Sequence, residues 1–267
     1  MRNNTQDRNE SIDLVSFAVD FQKRFPDAGL SHLDTLPGAR INVRDASRIT
    51  QVLSPGATVL DWGCGYGQMA WLLAKRGYQL FAADFPGDYL HSSLLKHPEV
   101  RWLPLTDSVR VDLPDSSVDA IVASGTLEHV QNIPGSMAEI RRVLRAGGYL
   151  FLFRFPNDYS YIEWFGRQQR GWYHSIRMTP FELRFLMKFY SLEVMDIGYD
   201  TFLPVNLMAQ RVRWLRPLRE RFSVAFDKLD NLFTHIPGVS KFSTSIWLTA
   251  KKNDDYQPLV PINQEKR

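Results

Sequence analysis

A single cysteine, Cys64, leaves this chain of 267 residues without an internal disulfide. Apolar runs approaching the roughly 20 residues of a membrane-spanning helix are also missing. The opening Met1-Arg2-Asn3-Asn4-Thr5-Gln6-Asp7-Arg8 has no apolar signal region, so the expected compartment is a reducing cytoplasm. Charge of either sign is scarce in excess: a net +3 is too small to argue for nucleic acid. No residues are assigned to a metal. The remainder, 44% hydrophobic and 23% charged, is the composition of an ordinary globular protein with a full core.

What stands out is Val59-Leu60-Asp61-Trp62-Gly63-Cys64-Gly65-Tyr66-Gly67. An apolar strand ending in an acid and three alternating glycines brings backbone against a ligand, because glycine reaches angles closed to other residues and leaves no side chain in the way. In an open α/β sheet such turns lie beyond the carboxyl ends of the strands, where ligands bind. The dinucleotide fingerprint G-x-G-x-x-G would need glycine at Gln68, so a nicotinamide-dependent oxidoreductase is the weaker alternative. Asp61 suits a ligand carrying an ammonium better than a pyrophosphate, which it would repel. Asp84 ends the buried segment Gln79 to Asp84 at 21 residues after Gly63, near the offset at which a carboxylate grips ribose hydroxyls.

Periodicity supplies the elements. The first ten residues read as disordered, and Leu14, Phe17, Ala18, Phe21 and Phe25 then mark an amphipathic helix whose main role is packing on the core. Further helices are expected at about 45–53, 67–76, 88–97, and from Pro134 to just before Gly147. Thr179, Pro180 and Glu182 make a capping box for a helix carrying Leu183, Leu186 and Met187. Strands are expected near 59–62, 79–84, 100–103, 118–124, 149–155, 192–197 and 243–250. Alternating strands and helices imply an α/β, doubly wound, mostly parallel sheet of seven strands.

The chain resembles the class I S-adenosylmethionine-dependent methyltransferases, in particular the methyltransferase type 11 group. The likeness rests on the glycine turn, Asp84, Leu113-Pro114-Asp115-Ser116-Ser117-Val118-Asp119, Leu127-Glu128-His129-Val130 and Leu144-Arg145-Ala146-Gly147-Gly148-Tyr149-Leu150, in the family's order over about residues 56–155. It implies a Rossmann-like sheet with an antiparallel last strand and helices on both faces. It also implies a methyltransferase domain at 41–252 between an N-terminal tail and helix at 1–40 and a C-terminal tail at 253–267. S-adenosyl-L-methionine is the implied cofactor, held by Asp61, Gly63, Cys64, Gly65, Gly67, Asp84, Phe85 and Ser124. Cys64 is expected to pack against it rather than act as a nucleophile. For the adenine amino group the resemblance offers Asp107, although the gap to Leu113-Pro114 is longer than the family's, with Asp112 as competitor.

Methyl transfer needs alignment in a dry pocket, and a base only for a weakly acidic hydroxyl or protonated amine. His129, after the fourth strand, is the candidate base. His174 is its rival, in an aromatic, arginine-rich stretch, Trp164 to Arg177, that with Tyr159 and Tyr161 shapes the acceptor pocket. An insertion at 200–242 is expected to be helical and basic, with Arg211, Arg213, Trp214 and Arg216 among its residues. It reads as a lid, or as peripheral contact with an anionic membrane. The expected reaction is methylation of a small-molecule or lipid-linked acceptor, such as a glycan or other cell-envelope or secondary-metabolite precursor, with a non-catalytic cofactor-binding module as the other alternative.

Overall fold

The computed structural model describes residues 4–27, 30, 33–87, 94–168, 174–203 and 221–253. Two helices lead the chain, α1 (Asn4–Arg24) and α2 (Leu36–Val52), followed by β1 (Thr58–Trp62), α3 (Gln68–Lys75), β2 (Gln79–Asp84), a short 3-10 turn Leu94–Lys96 and β3 (Val100–Pro104). The second half holds β4 (Val118–Ser124), α4 (Ile133–Val143), β5 (Leu144–Pro156), α5 (Tyr161–Gln168), α6 (Pro180–Phe189), β6 (Leu192–Asp200), α7 (Ser223–His235) and β7 (Ser245–Lys252). The seven strands form one sheet in the order β3-β2-β1-β4-β5-β7-β6. All neighbours from β3 to β5 run parallel, and β7 is antiparallel to both β5 and β6.

Period-two alternation divides each central strand between two cores. Val59, Ala120, Val122, Phe151 and Phe153 face the layer of α1, α2 and α3. Leu60, Trp62, Ile121, Ala123, Leu150 and Leu152 face α4 and α6, against Met137, Ile140, Leu183 and Met187. Helices therefore cover both faces, as a sheet with near-continuous apolar strands requires.

Four expectations change. Residues 4–10 are helical rather than disordered, because Asp7 and Glu10 pair with the buried guanidinium of Arg76 and dock this end on the domain. The helix expected at 45–53 begins at Leu36. The helix expected to run to Gly147 stops at Val143, and Arg145 to Gly148 bulge out of the β4 pairing between Val118↔Leu144 and Ala120↔Tyr149. Gly148 makes this close approach: a Cβ there would lie 2.9 Å from the Arg145 carbonyl and 3.0 Å from that of Asp119. Of the helix expected at 88–97, residues 88–93 lie outside those described, and 94–96 form the 3-10 turn. The capping box holds as read, with Thr179 Oγ1 accepting from Glu182 N–H and the Glu182 carboxylate accepting from Thr179 N–H. Residues 204–220, which include the arginine-rich segment, lie outside the described residues. No described helix is long and apolar enough to cross a membrane.

Candidate functional site

β1 and β4 lie side by side, yet the chain leaves β1 toward β2 and leaves β4 toward β5. A crevice opens beyond the carboxyl ends of two strands whose connections diverge in this way. The glycine turn fills its floor, with φ of +74° at Gly63, +53° at Gly65 and +82° at Gly67. Gly63 N–H and Cys64 N–H donate to the Ala83 carbonyl at 2.8 and 3.1 Å. Gly65 N–H donates to Asp84 Oδ2 at 2.7 Å, and Phe85 N–H to Asp84 Oδ1 at 2.8 Å. Asp84 thus clamps the turn to β2 while each oxygen keeps a lone pair.

The three glycines serve different ends. A Cβ at Gly63 would fall 2.3 Å from Thr126 Cγ2, and one at Gly67 would fall 2.6 Å from Leu95 Cδ2. At Gly65 it would meet nothing within 4 Å. Gly65 is therefore the point at which backbone faces open space.

Asp61 is buried, and its Oδ2 accepts the Ala70 N–H at 3.0 Å. Gly67, the N-cap of α3, has no side chain to cap with, so the carboxylate on β1 satisfies that helix end instead. Burial pushes the Asp61 pKa up to about 7; the Ala70 N–H opposes the shift, the nearby Asp84 charge adds to it, and Arg154 opposes it. Burial first, and then Asp61 and Asp84, raise the Cys64 thiol well above its usual range, so it stays protonated and inert. Ser124 Oγ, at the end of β4, is buried without a hydrogen-bond partner, and Phe85 is half exposed. Asp107 is exposed and accepts from Arg110 N–H and Val109 N–H, both at 2.7 Å, which hold its carboxyl below the usual range. Both bonds fall on Oδ1. Asp112 is likewise exposed.

Beyond β4 the chain turns through Glu128 and His129. The His129 side chain is 66% exposed, and its ring lies 5.7 Å from that of His174. Burial of part of the ring, and then His174, lower its pKa. Glu128 is buried and its Oε2 has no hydrogen-bond partner; burial pushes its pKa up to about 7. His174 comes from the segment before α6. Its Nδ1 is 2.6 Å from Oε1 of the buried Glu163 on α5, and its backbone N–H donates to Glu163 Oε2 at 2.9 Å. A carboxylate at Nδ1 makes that nitrogen the donor and orients the ring. The two candidate histidines of the sequence thus meet at one place. Glu163 carries no signal in the sequence beyond its place just before the aromatic stretch.

α1 both packs and covers. Leu14 joins the core of its layer, and Phe21 meets Tyr66 of the glycine turn edge-on at 5.3 Å. On the other side, Trp164 and Phe165 of α5 are each about half exposed.

Residues 60–152 match the methyltransferase domain family of the type 11 group. Among curated proteins, the chain is 31% identical over 96 residues to a malonyl-[acyl-carrier protein] O-methyltransferase from Serratia marcescens, covering 36% of this chain and 37% of that protein. It is 30% identical over 139 residues to a 2-phytyl-1,4-naphtoquinone methyltransferase from Trichormus variabilis, covering 47% and 57%. The chain thus spans between about two fifths and three fifths of the length of these relatives. Among solved structures it is similar in fold to a 1,6-didemethyltoxoflavin-N1-methyltransferase from Burkholderia thailandensis with bound 1,6-didemethyltoxoflavin and S-adenosylhomocysteine. That match has a TM-score of 0.53 and 16% identity, and covers 95% of this chain and 92% of the other.

Proposed function

We propose that this chain, which carries a class I methyltransferase domain of the type 11 group at residues 60–152, moves a methyl group from S-adenosylmethionine to a small-molecule acceptor. The observation that carries the reading is the Asp84 clamp on Gly65, 2.7 Å long, at the open floor of the crevice. It couples a ribose-gripping carboxylate to the one glycine of this turn that faces empty space. When bound, S-adenosylmethionine supplies an electrophilic methyl group on a sulfonium.

The residues present fit that group. Asp84 has lone pairs left for two ribose hydroxyls. Asp61 offers a buried negative charge to an ammonium and would repel a pyrophosphate, which, with Gln68 in place of glycine, disfavours a nicotinamide cofactor. Ser124 Oγ lacks a partner that a polar ligand would provide. Gly63, Cys64 and Gly67 shape the turn, Phe85 stands at its rim, and Asp107, with Asp112 as competitor, is the candidate for the adenine amino group. His129, exposed on the turn after β4, is the residue we assign to take the acceptor's proton.

The acceptor is read as an apolar or lipid-linked molecule. Half-exposed Trp164 and Phe165 beside Glu163 support it, as does the naphthoquinone substrate named for one relative. The basic, aromatic composition around Arg211, Arg213, Trp214 and Arg216 supports peripheral contact with an anionic membrane surface. Calorimetric titration tests the cofactor: S-adenosylhomocysteine is expected to bind and NAD is not, and the reverse result sinks the assignment. Mass spectrometry of extract incubated with the protein and a labelled methyl donor then finds the acceptor. Co-sedimentation with anionic vesicles at low salt tests the membrane contact. It should be lost when Arg211, Arg213 and Arg216 are changed together to alanine, and wild type remaining in the supernatant overturns it.

A further inference from the structure

We propose that Glu128, His129 and His174 form a binding site for a divalent transition-metal ion, beside the cofactor turn and separate from it. One carboxylate oxygen and one ring nitrogen from each histidine lie within 4.8 Å of one another. Ligands about 2.0–2.2 Å from a four-coordinate ion stand roughly 3.4 Å apart, so closure of at most about 1.4 Å completes the site. The His129 side chain, largely in solvent, is able to swing by that amount.

Two further observations point to a cation. Glu128 Oε1 lies 4.0 Å from His129 Nε2, and the second oxygen of the same carboxylate, Oε2, is buried without a hydrogen-bond donor in a side chain only 3% exposed. Burying a carboxylate oxygen without a partner is costly, and a metal ion is a partner that needs no additional donor group. The second is the Glu163 contact to His174 at 2.6 Å. A carboxylate held against one nitrogen of a histidine is the arrangement that orients metal-bound imidazoles.

Two imidazoles and one carboxylate favour zinc, iron(II), cobalt or manganese over magnesium or calcium. Three protein ligands leave at least one position open, as catalytic rather than structural sites do. An acceptor hydroxyl bound there would lose its proton to solvent more readily, so in the loaded enzyme the ion would take over from His129 the task of making the oxygen nucleophilic. That consequence rests on the proposed methyl transfer; the metal site does not.

The experiment titrates zinc into the full chain after chelator treatment and dialysis, by calorimetry, and repeats the titration with cobalt(II) while following visible absorbance. The expected result is one ion per chain. His129→Ala and His174→Ala should each weaken zinc binding at least tenfold. Glu163→Gln, which alters the carboxylate bonded to His174, should weaken it about tenfold and shift the cobalt spectrum. His235→Ala, an exposed histidine on α7, should bind as wild type does. Circular dichroism confirms that the variants fold, and the mostly exposed His129 keeps the test decisive if His174→Ala does not. Absence of saturable binding, or wild-type affinity in the His129→Ala/His174→Ala protein, overturns the site. Zinc titration requires neither cofactor nor acceptor. Failure with S-adenosylhomocysteine still binding removes the metal site alone, and the converse removes the methyltransferase reading alone.

Discussion

Glu163 holds His174 twice: one carboxylate oxygen lies 2.6 Å from Nδ1, and the other accepts the His174 backbone N–H at 2.9 Å. A single side chain on α5 thereby fixes both the tautomer of the ring and the path of the chain toward α6. Glu163→Ala would strand two donors, at about 1–3 kcal/mol each. The expected loss is about 2–4 kcal/mol in urea-induced unfolding, with a smaller loss for Glu163→Gln, which keeps one acceptor. If both variants unfold at the wild-type midpoint, the pair does not hold this segment.

Gly56 and Gly65 form a natural control pair. Both have positive φ, +87° and +53°, and a Cβ at either would meet nothing within 4 Å. Alanine at each should therefore cost a similar ~1–2 kcal/mol of backbone strain, without a clash. Only at Gly65 would the new methyl stand where the cofactor is proposed to lie. S-adenosylhomocysteine affinity should fall at least tenfold in Gly65→Ala and be unchanged in Gly56→Ala. Equal affinities in the two variants would place the ligand elsewhere.

Asp84 admits a sharper test because its hydrogen bonds within the turn are known. Asp84→Ala should weaken S-adenosylhomocysteine by about 1.5–3 kcal/mol, the scale of hydrogen bonds to a charged group. Calorimetry should show most of that loss retained in Asp84→Asn, which can still accept one backbone N–H but carries no charge. An unaffected affinity in both would remove Asp84 from the ribose contact.

What the sequence made legible was local. Val59 to Trp62 and Val118 to Ala123 alternate between two cores, and apolar residues bounded by glycine or acid mark such strands without any knowledge of partners. The Thr179 capping box closes within four residues and was equally plain. Distant partners were not legible. Helix α1 reaches back to Asn4 because Arg76, 66 residues beyond Glu10, is buried against it. The bulge at Arg145 to Gly148 lies against Asp119 on the neighbouring strand, with Gly148 close to the Asp119 carbonyl. The position of Asp61 as an acid before the glycines was readable, but its service as the cap of α3 needed the Ala70 contact. The meeting of His129 with His174 likewise depends on Glu163, whose sequence neighbourhood gives it no distinguishing mark.

The charge state of Asp61 should make both stability and cofactor binding depend on pH. Burial raises its pKa from 3.8 to about 7 in the folded protein. A carboxyl raised on folding binds more protons folded than unfolded, so its contribution is fully present below pH 4 and is lost as pH rises toward 7. Three units correspond to roughly 4 kcal/mol across that window, an upper scale for this group. Asp61→Asn keeps an oxygen for the Ala70 N–H and cannot ionise, so its stability between pH 4 and 7 should decline less than that of wild type. Binding reverses the preference: an ammonium placed near the carboxylate favours the charged form, so the wild type should release most of one proton on taking up S-adenosylhomocysteine at about pH 6.5. Calorimetry at that pH in buffers of different ionisation heat counts the proton. The count should fall to near zero in Asp61→Asn; the same count in both proteins would show that another group titrates and that Asp61 does not face the ammonium.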